Sequence, residues 1–343
     1  MQSRRNIKDL SYDELLAYVE ENGLPKFRAG QIFEWIYKDA GTFGEMTNLP
    51  KGLIEVLERD FYIGRVRIEA MQHSKIDNTR KYLLCFEDGN AVECVLMEYS
   101  YGKTICISTQ IGCRMSCEFC ASTVGGLIRS MSSGEMLEEV MAVSRDIGER
   151  IGNIVLMGTG EPFDNYDQVL KFIRVINHEK GLNIGQRHIT LSTSGIVPRI
   201  YDFADEKLQC TLAISLHAAE DEARSKIMPV NRKYNIEKLM EACRYYIKLT
   251  NKRVTFEYAL MKDVNDSSKD AHKLGTLLKG MLCHVNLIPV NKVEGKEFVK
   301  ASKDRIDSFK ETLEGFGIET TVRRELGSEI DAACGQLRQK YMK

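Results

Sequence analysis

Cys113, Cys117 and Cys120 stand at C-x3-C-x2-C spacing in Cys113-Arg114-Met115-Ser116-Cys117-Glu118-Phe119-Cys120. That spacing puts three thiolates on one short loop. Four-iron clusters normally take four cysteine thiolates, so a loop offering three leaves one iron open to a substrate or cofactor. A structural zinc site is the plainer alternative, but it wants a closed tetrahedral set, commonly with paired cysteines. No second C-x2-C or H-x3-H pair occurs in the chain. Three unrelated core thiols are the third reading, since cysteine buries readily. Other residues carry chemistry too. Glu93 sits inside an apolar run, where a carboxylate either faces solvent by alternation or points into a site as a base. Cys334 lies in a glycine-flanked polar stretch, unlike a core cysteine, whereas Cys106 lies within a strand pattern and could be simply buried. Cys85, Cys94, Cys210, Cys243 and Cys283 sit in apolar runs and are expected to pack.

These residues need elements to position them. Ser11 and Glu14 form a capping-box pattern before Leu15, Leu16 and Val19, and Pro25 ends that helix. Apolar-periodic runs at Ile32–Tyr37 and Leu53–Leu57 predict two more helices in a small N-terminal unit, either a packing cap or a docking surface. From about 64 to 99 the period changes to strands, with Asp88-Gly89 between two β-rich runs as a hairpin signal. Beyond Thr104, strands expected at 104–108, 154–157, 188–192, 211–215, 255–260 and 284–288 alternate with amphipathic helices near 133–147, 165–178, 196–206, 234–249, 267–278 and 303–315. Such alternation means βαβ units and a parallel sheet. Six repeats are too few for an eight-fold barrel and enough for an open one, whose active residues would follow the strand ends. The cysteine loop follows the first strand. Gly158-Thr159-Gly160-Glu161-Pro162, Ser192-Thr193-Ser194-Gly195, Ser215-Leu216-His217 and Asn291 follow later ones.

Composition narrows the partners. The chain has 343 residues, 48 basic and 49 acidic, for a formal charge of −1. No global field draws it to nucleic acid, so an RNA surface must be a local patch. Arg323 and Arg324, with Arg338, Lys340 and Lys343, offer such a patch or a plain solvated surface. No apolar run reaches membrane-spanning length and the start has no signal-peptide core. Clustered cysteines fit a reducing cytosol better than a disulfide scaffold, so a cytoplasmic protein with no membrane partner is expected.

The cysteine loop after a first strand, with Gly-x-Gly-Glu-Pro after the second, resembles the radical S-adenosylmethionine superfamily. Arg187-His188-Ile189-Thr190-Leu191-Ser192-Thr193-Ser194-Gly195, Ser215-Leu216-His217, Val285-Asn286-Leu287-Ile288-Pro289-Val290-Asn291 and Ile330-Asp331-Ala332-Ala333-Cys334-Gly335-Gln336-Leu337 are similar to the RlmN family of dual-specificity RNA methyltransferases. The resemblance implies a partial (β/α)6 barrel at 101–322, an N-terminal helical accessory domain at 1–60, a β-hairpin extension at 61–100 and a C-terminal segment at 323–343. It implies methylation of C2 of adenine in 23S rRNA and tRNA. Cfr, a relative acting at C8, shares most motifs; Pro162, where Cfr carries alanine, favours the C2 enzyme. Thr159 replaces a common methionine, which should change packing and not the reaction.

The resemblance also implies roles. Cys113, Cys117 and Cys120 would ligate a [4Fe-4S] cluster. Gly160, Glu161, Ser192, Ser215, Leu216, His217 and Asn291 would contact S-adenosylmethionine, two molecules of which are used per turnover, one as methyl donor and one as radical source. Cys334 would carry the methyl group as S-methylcysteine, Cys106 would close a disulfide with it on product release, and Glu93 would accept the C2 proton. An external electron donor such as flavodoxin or ferredoxin and a monomeric state complete the expectation. Two rivals remain: a radical enzyme acting on a small molecule or protein, and a non-catalytic RNA binder with a zinc-stabilised loop.

Overall fold

Three short helices begin the chain, each from a local signal. Ser11 caps α1 (Tyr12–Glu21) in a closed capping box with Glu14. α2 (Phe27–Tyr37) follows Pro25, and α3 (Lys51–Asp60) follows Pro50. Their apolar faces meet in a small core of their own around Val19, Ile32, Phe33 and Leu57. β1 (Arg5–Asn6) pairs in parallel with β2 (Phe61–Tyr62) and closes the unit. The structure, a computed structural model, describes residues 4–290, 297–327, 329 and 330.

β3 (Arg67–His73), β4 (Arg80–Cys85) and β5 (Ala91–Tyr99) form an antiparallel meander, with Gly89 at φ +81° in the expected turn. β5 pairs antiparallel with β6 (Gly102–Cys106). A separate ribbon of β7 (Gln110–Gly112) and β8 (Leu127–Ser130) brackets the cysteine loop. Helices and parallel strands then alternate: α4 (Ser133–Ile147), β9 (Asn153–Leu156), α5 (Tyr166–Asn177), β10 (Ile189–Thr193), α6 (Val197–Asp205), β11 (Thr211–Ser215), α7 (Asp221–Ile227), α8 (Ile236–Thr250), β12 (Val254–Leu260), α9 (Ser268–Leu278), β13 (Cys283–Pro289), α10 (Lys303–Gly315) and β14 (Glu319–Val322). One 10-stranded sheet results, in the order β14-β13-β12-β11-β10-β9-β6-β5-β4-β3. Its parallel part, β6 and β9 to β14, is the partial barrel, and helices pack on it over a continuous apolar core. Such burial is the main stabilising term. No helix among the described residues is long and apolar enough to cross a membrane.

All six expected strands and all six expected helices are present within two residues of their expected ends. Among strands and α-helices from α4 onward two elements are additional, and before α4 the short pairs β1–β2 and β7–β8 are additional as well. β14 buries only Thr320 of its four side chains, so its residues carry no alternation. α7 is seven residues long and buries only Arg224 and Ile227, too few for an apolar period.

Ionic and aromatic contacts dock the helical unit on the barrel. Lys8, fully buried, pairs with Glu138 of α4; Arg145 binds the same carboxylate at 2.7 Å and Asp39 at 2.5 Å. Tyr12 stacks on His178 at 4.6 Å. At the opposite end of the chain, the segment after β14 crosses to the β3–β4 turn. Gly327 N–H donates to Asp77 at 2.8 Å, and Glu329 accepts from the Ser74 hydroxyl at 2.6 Å and the Lys75 N–H at 2.8 Å. This strap brings the far edge of the sheet to the meander, around the barrel mouth.

Candidate active site

The cysteine loop is held by its own backbone and by the loop after β9. Gly112, at φ +80°, lies so close to the neighbouring strand that a Cβ there would sit 1.9 Å from the Gly126 carbonyl oxygen. Cys113 N–H donates to that carbonyl at 3.1 Å. Arg114 forks onto Asp164, which also accepts from the Gln110 side-chain amide at 2.9 Å; Gln110 Oε1 in turn accepts from Glu161 N–H at 2.9 Å. Met115 and Phe119 of the loop pack with Ile227, Met228, Met261 and Val290 in an apolar cluster around Cys117.

Cys113, Cys117 and Cys120 all line a single cavity of about 340 Å³. Three thiols of one loop on the wall of one cavity are the donor set a cluster with one open iron would need. Burial, with neighbouring acidic groups, lifts the Cys113 thiol to about 12 and raises Cys117 as well. A bound cation reverses that preference, because a coordinating thiol is deprotonated outright. The donor set, its apolar surroundings and its need for positive charge all fit an iron–sulfur cluster.

The strand ends form the next wall. Gly160, Glu161, Ser192, Ser215 and His217 line the cavity. Gly160 adopts φ +108°, and a Cβ there would come within 2.8 Å of Gln110 N, so the turn needs glycine. Glu161 is buried, and its carboxylate accepts from Ser194 N–H at 2.7 Å and Phe163 N–H at 3.0 Å; burial raises its pKa against these bonds. His217 adopts φ +57°, and its Nδ1 accepts from Ala259 N–H at 2.9 Å, leaving the proton of the neutral ring on Nε2. Burial, aided by Arg224, pulls its pKa down to about 3. The Leu216 side chain points into the main core, away from the cavity lining, and its carbonyl accepts from Arg224 at 3.0 Å.

The third wall comes from the meander. Val95 and Met97 of β5, Cys106 of β6 and Arg323, Arg324 and Leu326 of the strap line the outer part of the cavity. Glu93 shares the face of Val95 and Met97 by strand alternation. It is buried and forms an ion pair at 2.9 Å with Lys81, whose side chain is also buried. The solvent-facing alternative for this carboxylate is therefore wrong: both faces of β5 are covered from Ala91 to Met97. Asn291, Cys334, Arg338, Lys340 and Lys343 lie outside the described residues. Val290, just before Asn291, lines the cavity. Of the cysteines expected to pack, Cys94, Cys210, Cys243 and Cys283 are buried, while Cys85 is half-buried. Thr159 does pack: it is buried, with its hydroxyl 3.3 Å from that of Ser122.

Three residues with a part in the site are absent from the sequence reading. Lys81 lies diagonally across the hairpin from Glu93, a relation the Asp-Gly turn register contains. Glu257 of β12 is a buried carboxyl lining the cavity, held by Asn286 at 2.9 Å and raised in pKa by burial against Arg323 and that bond. Arg224 is fully buried and donates to the carbonyls of Ser194 at 2.7 Å, Ser215 at 3.0 Å and Leu216, tying two strand ends together. Its seven-residue helix reads as surface in sequence.

Residues 5–63 match the family described as ribosomal RNA large subunit methyltransferase N-terminal domain, and residues 107–274 match the radical SAM superfamily. Over 339 residues the chain is 56% identical to a Clostridium botulinum (strain Alaska E43 / Type E3) protein named probable dual-specificity RNA methyltransferase RlmN, covering 99% of this chain and 98% of that one. The chain belongs to the RlmN family. A Clostridium perfringens (strain SM101 / Type A) protein of the same name is 56% identical over 340 residues, 99% of this chain and 98% of that one. A crystal structure of a radical SAM methyltransferase from Sphaerobacter thermophilus superposes with a TM-score of 0.91 at 42% identity, covering 97% of this chain and 98% of that one.

Proposed function

We propose that this RlmN-family chain is a radical S-adenosylmethionine methyltransferase that methylates C2 of adenine in 23S rRNA and in tRNA, by way of S-methylcysteine at Cys334. The observation that supports the reading is one cavity with three thiols on one wall, the polar strand ends at Gly160, Glu161, Ser192, Ser215 and His217 on the next, and Cys106 with Arg323, Arg324 and Leu326 on the third. When bound, the [4Fe-4S] cluster and S-adenosylmethionine supply an organic radical and, from a second cofactor molecule, a methyl group.

The chain's residues divide the remaining work. Cys113, Cys117 and Cys120 hold the cluster, and Met115, Phe119 and Met228 keep water from it. Gly160, Glu161, Ser192, Ser215 and His217 hold the cofactor, with Leu216 contributing position through its backbone and Asn291 a further contact. C2 of adenine is too weak a nucleophile for polar methyl transfer, whereas a thiolate is a strong one, so Cys334 takes the methyl group first. Glu93 accepts the C2 proton, and the buried Lys81 beside it supplies the counter-charge such a carboxylate needs. Cys106 releases the RNA by attacking the sulfur of the Cys334 thioether: the S–S bond forms as the sulfur–methylene bond breaks, the electron pair of that bond passes to the methylene carbon, which takes up a proton to become the methyl group, and an external reductant returns the disulfide to two thiols. The adenine must leave its stack to enter the cavity, at a cost of a few kcal/mol, so unpaired adenines are preferred.

A flavodoxin- or ferredoxin-type electron donor, a cytoplasmic site of action, a monomeric state and the division at 60, 100 and 322 belong to the same proposal. The test is peptide mass spectrometry of anaerobically reconstituted chain incubated with S-adenosylmethionine. A methyl group on the Cys334 peptide is expected, together with loss of RNA methylation and retention of iron in Cys334→Ala. An unmethylated peptide in an iron-loaded wild type refutes the scheme.

A further inference from the structure

The hairpin joining β5 to β6 carries Tyr99 and Tyr101 as a stacked pair, ring centroids 4.9 Å apart and planes within 6°. Tyr101 is 70% exposed although it is large and apolar. One ring face lies on Tyr99 and the rest meets solvent. The pair is continuous with the active-site wall: Tyr99 packs against the cluster of Val95, Met97 and Cys106 that borders the cavity. Val95 faces Cys106 across the hairpin, and four strand steps of about 3.3 Å put Tyr99 about 13 Å farther along. Arg323 and Arg324 line the cavity that this cluster borders. Burial and Tyr101 raise the Tyr99 phenol, and both guanidiniums are near enough to oppose that rise. No described carboxylate lies within ion-pair distance of either arginine, whereas Glu325 beside them pairs with Lys300 at 2.6 Å.

We propose that Tyr99 and Tyr101 form a stacking platform for an unpaired nucleobase beside the target adenine, with Arg323 and Arg324 contacting phosphates of the same strand. The proposal rests on the RNA reading above and adds a subsite to it. A flat ring with one covered and one open face suits a base, because every nucleobase has a π-face to continue the stack. An extruded adenine leaves its neighbours unstacked, and a platform close to the cavity restores the lost contact. Cations flanking the rings supply the backbone attraction that a chain of net charge −1 otherwise lacks.

The test measures fluorescence anisotropy of the full chain with a labelled stem-loop RNA having one loop adenine, and with the same RNA made abasic at each other loop position in turn. In the wild type, one abasic position is expected to weaken binding about thirtyfold, the middle of the range for stacking of one base. Tyr101→Ala should weaken the parent RNA equally and abolish sensitivity at that position, while Tyr101→Phe keeps wild-type values. Arg324→Gln should lower the slope of log affinity against log salt by about 0.7, one single-strand phosphate contact. RNA binding that Tyr101→Ala leaves unchanged, or positional sensitivity that survives it, overturns the platform alone. A wild type that binds none of these RNAs overturns both the platform and the RNA reading.

Discussion

Ser108 joins two walls of the site, and its replacement gives a quantitative test. Its hydroxyl donates to the Glu93 carbonyl at 2.8 Å and accepts from Thr159 N–H at 3.0 Å, joining β5 to the loop that carries Gly160 and Glu161. Its own N–H is held separately, by both carboxyl oxygens of the buried Glu139 at 3.1 and 3.2 Å. Ser108→Ala removes only the hydroxyl. The lost bond contributes about 1 kcal/mol, and a buried N–H left without an acceptor costs about 1–3 kcal/mol more. The expected destabilisation is therefore about 2–4 kcal/mol. Urea unfolding of the cluster-free chain reads it as a lower midpoint with an unchanged slope. S-adenosylmethionine affinity of the reconstituted variant should fall as well. Ser122→Ala, which loses only a 3.3 Å hydroxyl contact to Thr159, should cost less than about 1 kcal/mol. A Ser108→Ala midpoint within about 0.5 kcal/mol of wild type refutes the bridging role.

Lys8→Met breaks the buried pair between the helical unit and α4 but leaves Glu138 its Arg145 partner. A cost below about 3 kcal/mol is expected, the low end for an orphaned buried charge, because Arg145 still compensates Glu138, with earlier proteolytic cleavage inside residues 5–63; an unchanged digestion pattern contradicts the docking argument. His217 titrates near its ordinary value in the unfolded chain and at about 3 in the folded one. The unfolded state thus binds more protons between these values, so its contribution to stability is lost as pH falls below about 6.5, at about 1.4 kcal/mol per pH unit. Glu139, Glu161 and Glu257, each raised by burial, have the opposite slope above the usual glutamate range. The measurement is therefore the difference between wild type and His217→Asn from pH 7 to 5, and a pH-independent difference contradicts a buried neutral ring.

The repeats were legible because each buried strand is short and apolar and most of the helices show one wet face. α5 and α10, whose ends the period marks, illustrate it. The cysteine loop was legible from its spacing and a cofactor pocket from the pattern of polar strand ends, while the identity of the cofactor came from the resemblance to the family. Glu93 was ambiguous because alternation separates two faces without saying which is wet, and here neither is. Lys81 was recoverable from hairpin register once Asp88-Gly89 had fixed the turn. Glu257 carried only the same weak signal as Glu93, a carboxyl within an apolar strand. Arg224 had no such signal: among Asp221, Glu222 and Lys226 it looks solvated, and its burial is explained by the backbone carbonyls it reaches at distant strand ends and by the Asn231 side-chain oxygen.

The position of the new methyl group tests the central claim most directly. Reconstituted chain, given S-adenosylmethionine, a reductant and a 23S rRNA fragment, should yield 2-methyladenosine on nucleoside mass spectrometry, and Cys334→Ala should yield none. 8-Methyladenosine, or unmodified RNA from an iron-loaded enzyme that cleaves its cofactor, contradicts it.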